Sequence, residues 1–376
     1  MITRRKRKQD SVYRHALNDS PERFKKMKEE IKDLRFTEEP EEMIKVLDLA
    51  FVMDCTGSMS SYIEEARTNI RDIVEEIVTV ENTDVRLALV EYRDHPPQES
   101  SFVTRTHDFT DSVATMKGWL DLSRANGGGD SPEAVADALD DLLNLSWQND
   151  SIKIAVMISD APPHGLSVPD GFPDGCPCGI DPIQTAIRLA KRDVTLYVVG
   201  CEPSITPFVD FFMALAFITG GQYVRLGRAD LLMPVIVGGA QEEISLNTLS
   251  NEVERELRAR REAGEDVHVE AYTRELHGRW TSRGKRVRQL QCNNVELASV
   301  SERAKQFSKL ATLSDIKKVF KPQQSSGSTS GCLFGRAVGF SAPVDSSTSS
   351  YGSATIGVSF GQTSRLVQKS LSKWKT

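Results

Sequence analysis

Asp54, Thr56 and Ser58 place three oxygen side chains at alternate positions directly after the apolar run Val46-Leu47-Asp48-Leu49-Ala50-Phe51-Val52-Met53. Oxygen-only donors suit a hard divalent cation such as Mg²⁺. A second set of candidate donors lies in the Pro/Gly-rich stretch 161–180, where His164, Cys176 and Cys178 offer nitrogen and sulfur. The Cys176-Pro-Cys178 pair has no further Cys/His pair close in sequence, so as a zinc or redox motif it is a weak signal, and His164 reads as an ordinary loop residue. Asp170, Asp174 and Asp181 lack the spacing and terminal Glu of a calcium-binding EF-hand loop. The Pro/Gly density of 161–180 predicts an irregular rim of the kind that carries recognition.

The first set needs a rigid support, and the sequence supplies one. An almost continuously apolar run marks a strand buried on both faces of a parallel sheet. Open α/β sheets bind ligands at the carboxyl ends of such strands, where Asp54 falls. Ser60 is placed to cap a helix starting near Tyr62, whose inward face is Tyr62, Ile63, Ala66, Ile70, Ile73, Val74, Ile77 and Val78.

The Asp54-x-Thr56-x-Ser58 segment resembles the opening of the metal-ion-dependent adhesion site of von Willebrand factor A domains. Two further segments fall in the matching order. Gly127-Gly128-Gly129-Asp130-Ser131-Pro132-Glu133-Ala134 is similar to the Asp-Ser-Pro-Glu segment of the integrin β version, and Ile154-Ala155-Val156-Met157-Ile158-Ser159-Asp160-Ala161 is a buried strand ending in that family's third loop. The resemblance covers residues 45–247. It implies hydroxyl ligands from Thr56 and Ser58, with Asp54 and Asp160 binding through water or holding those hydroxyls, and a carboxylate from Glu133 or, second in preference, Asp130. The cation would be Mg²⁺, Mn²⁺ or Ca²⁺. One coordination position would remain for an acidic group of a protein partner, the way the family's sites bind. Thr56 replaces the family's Ser and keeps the hydroxyl, and strand alternation turns Cys55 away from the cation.

Strand and helix then alternate as in a doubly wound, mostly parallel sheet flanked by helices, an α/β class. Strands are predicted at Val85–Tyr92, Ile154–Asp160, Val194–Gly200 and Gln222–Leu226. The resemblance adds an antiparallel edge strand over Ser101–His107. Helices are predicted over Asp111–Leu122, from Pro132 with Val135, Ala138, Leu139, Leu142 and Leu143 inward, over Phe208–Phe217, and from Ala229 to about Leu246.

Four regions result. Residues 1–44 read as a charged helical extension, with a helix from Ser20 to about Leu34 and a basic block, Arg4-Arg5-Lys6-Arg7-Lys8, that is a solvated tip or a nuclear import signal. Residues 45–247 are the A domain. Residues 248–320 read as a charged helical segment: Leu246, Leu249, Val253 and Leu257 form a near-heptad seam suited to a short coiled coil and oligomerisation, and 289–319 reads as one amphipathic helix. Residues 321–376 read as a Ser/Gly-rich disordered tail, with a short binding helix at Leu366–Trp374.

In the 376-residue chain, 39% hydrophobic content suffices for one sizeable core, and a net charge of −6 argues against nucleic-acid binding. No apolar run reaches the roughly 18 residues of a membrane span. The N-terminus lacks the apolar core of a secretory signal, and six scattered cysteines point to a reducing, cytoplasmic compartment. The order of A domain and charged helical segment resembles the A-domain half of atypical alpha-kinases, on the Gly-Gly-Gly-Asp-Ser-Pro-Glu and Asp160-Ala-Pro-Pro-His164-Gly segments. After residue 247 no Gly-rich phosphate loop appears between strand and helix, so no kinase activity is expected. The sequence favours a metal-dependent protein-binding module. The alternative is an enzyme or enzyme fragment, a metal-assisted hydrolase using Asp160 and His164 or an alpha-kinase-like protein without its kinase domain.

Overall fold

In the computed structural model the described residues are 45–81, 83–322 and 349–374. The basic block and the N-terminal helix read from the sequence lie outside them.

The central sheet holds β1 (Lys45–Asp54), β2 (Thr83–Tyr92), β3 (Thr104–Thr110), β4 (Ile152–Ser159), β5 (Val194–Cys201) and β6 (Tyr223–Leu226) in the order β3-β2-β1-β4-β5-β6. The β1–β4, β4–β5 and β5–β6 pairs are parallel and the edge strand β3 is antiparallel to β2, so the sheet is mostly parallel. Alternation along each strand feeds two cores. Ala50, Val52, Val90, Ala155 and Met157 face α3 (Val135–Asn144), α4 (Pro182–Lys191) and α5 (Val209–Ile218). Leu49, Phe51, Met53, Val156 and Ile158 face α1 (Ser60–Glu81), α2 (Val113–Leu122) and α6 (Leu232–Glu262). Because both faces are covered, β4 and β5 are buried at every position, which is why they read as unbroken apolar runs.

Beyond the sheet, three expectations are corrected. The closing helix does not stop at Leu246: α6 continues to Glu262, and α7 (Val269–Ser282) folds back on it. The seam Leu246, Leu249, Val253 and Leu257 is not an exposed coiled-coil face. It is filled from the same chain by Tyr272, Leu276, Trp280, Leu366 and Val367. Residues 289–319 are not one helix but a strand and two short helices, β7 (Arg286–Cys292), α8 (Glu302–Phe307) and α9 (Leu313–Val319).

The expected disordered tail is also corrected in part. Residues 323–348 lie outside the described set, but β9 (Tyr351–Gly357) pairs antiparallel with β7, which carries the two-residue β8 (Val295–Glu296) on its other edge. α10 (Phe360–Ser372) follows, started by a capping box in which Ser359 and Gln362 satisfy each other's backbone amides. It is not a free binding helix. Arg365, 4% exposed, reaches Glu242 at 2.6 Å, Glu243 at 3.4 Å and the Gly220 carbonyl at 3.0 Å. Tyr197, Gln222 and Gln362 donate to the same two carboxylates. Among the described residues no helix is long and apolar enough to cross a membrane.

Candidate functional site

The carboxyl ends of β1, β2 and β4 and the loop before α3 meet at one lip. Asp54, the last residue of β1, is fully buried. Its Oδ1 accepts from the Thr56 amide at 2.9 Å and the Thr56 hydroxyl at 2.7 Å, and Ser58 Oγ lies 3.4 Å from Thr56 Oγ1. The Asp-x-Thr-x-Ser turn thus folds back on its own first residue and bunches three oxygen groups. Ser159 Oγ approaches Asp54 Oδ2 at 3.5 Å, bringing in the end of β4, where Asp160 follows.

The glycine loop closes the opposite side. Gly57 N donates to the Gly127 carbonyl at 3.3 Å, and Glu133 N donates to the Pro162 carbonyl at 2.9 Å. Gly128 sits at φ 90° in close approach: a Cβ there would lie 3.3 Å from Glu133 Oε1 and 3.5 Å from Thr56 Cβ. The Glu133 carboxylate therefore stands beside Thr56. The fold brings together all six residues singled out in the sequence, Asp54, Thr56, Ser58, Glu133, Asp160 and Asp130. It adds Asp94, two residues after β2, whose charge lies beside Asp130 and helps to raise the Asp130 carboxyl above the usual carboxylate range, after burial.

Electrostatics set this lip apart. Burial, with Asp160 adding to it, raises the Asp54 carboxyl to about 7. Burial and the charges of Asp54, Asp94, Asp130 and Asp160 raise Glu133 to about 10. Glu133 Oε2, Asp130 Oδ1 and Asp94 Oδ2 are buried and accept no hydrogen bond. Among the described residues no arginine or lysine forms a salt bridge with any of the five carboxylates; the basic group at hand is His164, on Asp94. Carboxylates crowded in this way, with Asp54, Asp94 and Glu133 buried, carry a large electrostatic cost that a cation would remove. The oxygen-only donor set and the orphan oxygens fit a hard divalent ion.

His164 is not an ordinary loop residue. It is 3% exposed and clamped between two carboxylates, with Nε2 2.6 Å from Asp94 Oδ1 and Nδ1 2.8 Å from Asp170 Oδ1. Burial works against its charge, but the two carboxylates outweigh burial and hold its pKa above the usual histidine value. The clamp ties the long loop after β4 to the end of β2. Cys55 points away from the lip, its Sγ 3.6 Å from Glu91 Oε1 on the far side of β1, as alternation requires. A cleft of about 330 Å³ lined by Glu76, Val80, Met233 and Arg288 shares no residue with the lip.

Asp94 escaped the sequence reading because it belongs to none of the three motif segments. Its place two residues after a buried strand, in Glu91-Tyr92-Arg93-Asp94, is the signal that could have found it.

Residues 48–168 match the family model of the von Willebrand factor A domain. The chain is 30% identical over 196 residues to the alpha-protein kinase vwkA of Dictyostelium discoideum, covering 51% of this chain and 31% of that protein. It is 29% identical over 188 residues to a putative ariadne-like RING finger protein of Acanthamoeba polyphaga mimivirus, covering 48% and 18%. The chain thus spans less than a third of these curated relatives. Among solved structures it is similar to a von Willebrand factor type A protein from Catenulispora acidiphila, at 14% identity and a TM-score of 0.40 over 54% of this chain and 43% of that one. The residues that build the lip, from Asp54 to Asp160, all fall within the stretch that matches the von Willebrand factor A domain model.

Proposed function

We propose that this A domain is a protein-binding module that holds a divalent cation, Mg²⁺ or Mn²⁺ foremost, at the lip and docks an acidic residue of a partner on it. Thr56, Ser58 and Glu133 would supply oxygens directly, and Asp54 and Asp160 would orient the hydroxyls or bind through water. Asp130 and Asp94 would add negative charge beside Glu133. The observation that carries the reading is the crowd of carboxylates with buried orphan oxygens and, among the described residues, no arginine or lysine partner. Magnesium keeps open positions for outside ligands, and a carboxylate from a partner suits one of them.

The reading assigns the described region a binding role without catalysis. His164, the one histidine of the motif loop, is engaged at both ring nitrogens and buried, so it is poorly placed to act as a general base. A cytoplasmic setting accords with the free thiols at Cys55, Cys176, Cys178, Cys201 and Cys292.

Titration calorimetry of the full chain with Mn²⁺ tests this proposal. Saturable binding is expected in the wild type, with a loss of about tenfold or more in affinity in Thr56→Val and Glu133→Gln. Binding that both variants retain unchanged would place the cation elsewhere and sink the reading.

A further inference from the structure

Four side chains outside the lip converge on one point. His95 follows β2, Asp137 lies in the first turn of α3, and Cys176 and Cys178 come from the loop between β4 and α4. One donor atom from each lies within 4.8 Å of all the others. His95 Nε2 is 2.9 Å from Asp137 Oδ2, Cys176 Sγ is 3.2 Å from the same oxygen, and Cys176 Sγ is 3.9 Å from His95 Nε2. We propose that His95, Asp137, Cys176 and Cys178 form a tetrahedral zinc site that fastens the long β4–α4 loop to the rim of the sheet.

The donor chemistry selects the metal. Two thiolates, an imidazole and a carboxylate make a set that suits zinc and disfavours magnesium or calcium. With zinc–sulfur bonds of about 2.3 Å and zinc–nitrogen or zinc–oxygen bonds of about 2.0 Å, tetrahedral donors stand roughly 3.3–3.8 Å apart. The observed separations need only small side-chain adjustments to reach that spacing.

The surroundings are those of a built site. His95 and Asp137 are 5% and 8% exposed, Cys176 is half-buried and Cys178 faces solvent, leaving a path for the ion. The edge of the Phe172 ring closes over His95 at 5.6 Å between centroids. The Cys178 amide donates to Cys176 Sγ at 3.3 Å, as backbone amides do around metal-bound thiolates. Gly175 at φ 105° and Gly179 at φ 74° turn the chain sharply on either side of Cys176-Pro177-Cys178, and both sulfurs lie within 4.8 Å of the His95 and Asp137 donors.

The loop from 161 to 181 has no helix or strand of its own, so cross-links of this kind are what hold it. His95 is the neighbour of Asp94, and Asp137 lies one turn after Glu133. Zinc would therefore brace two walls of the lip from behind. The proposal stands on its own donors and does not depend on a cation at the lip.

The test is metal analysis of the full chain purified from zinc-replete cells without chelator, together with a free-thiol count. About one zinc per chain is expected, falling to less than about a tenth in Cys176→Ser and in Cys178→Ser and unchanged in Asp54→Ala. Cobalt exchanged for the zinc should show the intense visible bands of a tetrahedral ion and sulfur-to-metal charge transfer in the near ultraviolet, both absent from Cys178→Ser. Cys178 is exposed, so this variant keeps the test open if Cys176→Ser fails to fold. A folded wild-type chain without zinc, a Cys176–Cys178 disulfide in its place, or zinc that is lost in Asp54→Ala but kept in both cysteine variants would each overturn the proposal.

Discussion

Two of the acid clusters among the described residues are treated in opposite ways. Under α10, Glu242 and Glu243 meet the guanidinium of Arg365 and donors from Thr195, Tyr197, Gln222 and Gln362. Burial opposes the charge on Arg365, yet Glu242 and Glu243 outweigh it and hold its pKa above the ordinary arginine value. At the lip, the buried Asp54, Asp94 and Glu133 and the partly exposed Asp130 and Asp160 crowd together with three orphan oxygens. A charge cluster completed by the chain is a structural fastener, here holding the C-terminal helix to the sheet. One that the chain leaves incomplete at the carboxyl ends of strands is a site for something from outside.

The contrast predicts opposite signs for removing charge in the two places. The largest effect is expected at the fastener. Arg365→Ala leaves Glu242 buried without its cation and should destabilise the fold by about 3–5 kcal/mol, read by urea unfolding. Arg365→Met combined with Glu242→Leu should recover most of that loss. If Arg365→Ala unfolds like wild type, α10 is not fastened as described.

At the lip the same kind of change should stabilise. Glu133→Gln removes a carboxyl raised to about 10 and should make the metal-free protein more stable by about 1–3 kcal/mol at neutral pH, while reducing any gain from added cation. The pH dependence carries the same sign. Asp54 and Glu133 titrate near 7 and 10 when folded, against about 4 unfolded. Their contribution is fully present below pH of about 4 and is lost as pH rises through those folded values. The melting temperature in EDTA should therefore fall between pH 5 and 9, more steeply than with millimolar Mg²⁺. Equal slopes in the two conditions would show that no cation relieves the lip. The smallest effect belongs to exposed pairs: Arg260→Ala, which breaks the partly exposed contact with Glu275 between α6 and α7, should cost less than about 1 kcal/mol.

What the sequence revealed, and what it hid, follows from where each residue finds its partners. β1, β4 and β5 are legible because burial on both faces demands apolar residues throughout. Asp54, Thr56 and Ser58 are legible because a single turn brings them together. β7 was missed because Arg286-Val287-Arg288-Gln289-Leu290-Gln291 looks like part of a charged helix; Val287 and Leu290 are buried only because β9 and α6 cover them. β9, Tyr-Gly-Ser-Ala-Thr-Ile-Gly, has no apolar run, and its strand character comes from its pairing. α10 did carry a local signal, the Ser359-x-x-Gln362 capping box before Leu366 and Val367, set in a Ser/Gly-rich tail that masked it. The His95–Asp137–Cys176–Cys178 cluster was hidden because its members are brought together across 81 and 39 residues of chain.

The most direct test of the central claim is thermal unfolding of the full chain, since α10 belongs to the packed structure, in EDTA or in millimolar Mg²⁺ or Mn²⁺, for wild type and Asp54→Ala. A cation at about 100 times its dissociation constant should add about 2.7 kcal/mol to the wild type and raise its melting temperature by several degrees, with little change in Asp54→Ala. An equal shift in both proteins, or none in the wild type at cation concentrations that saturate its Mn²⁺ titration, would contradict the account.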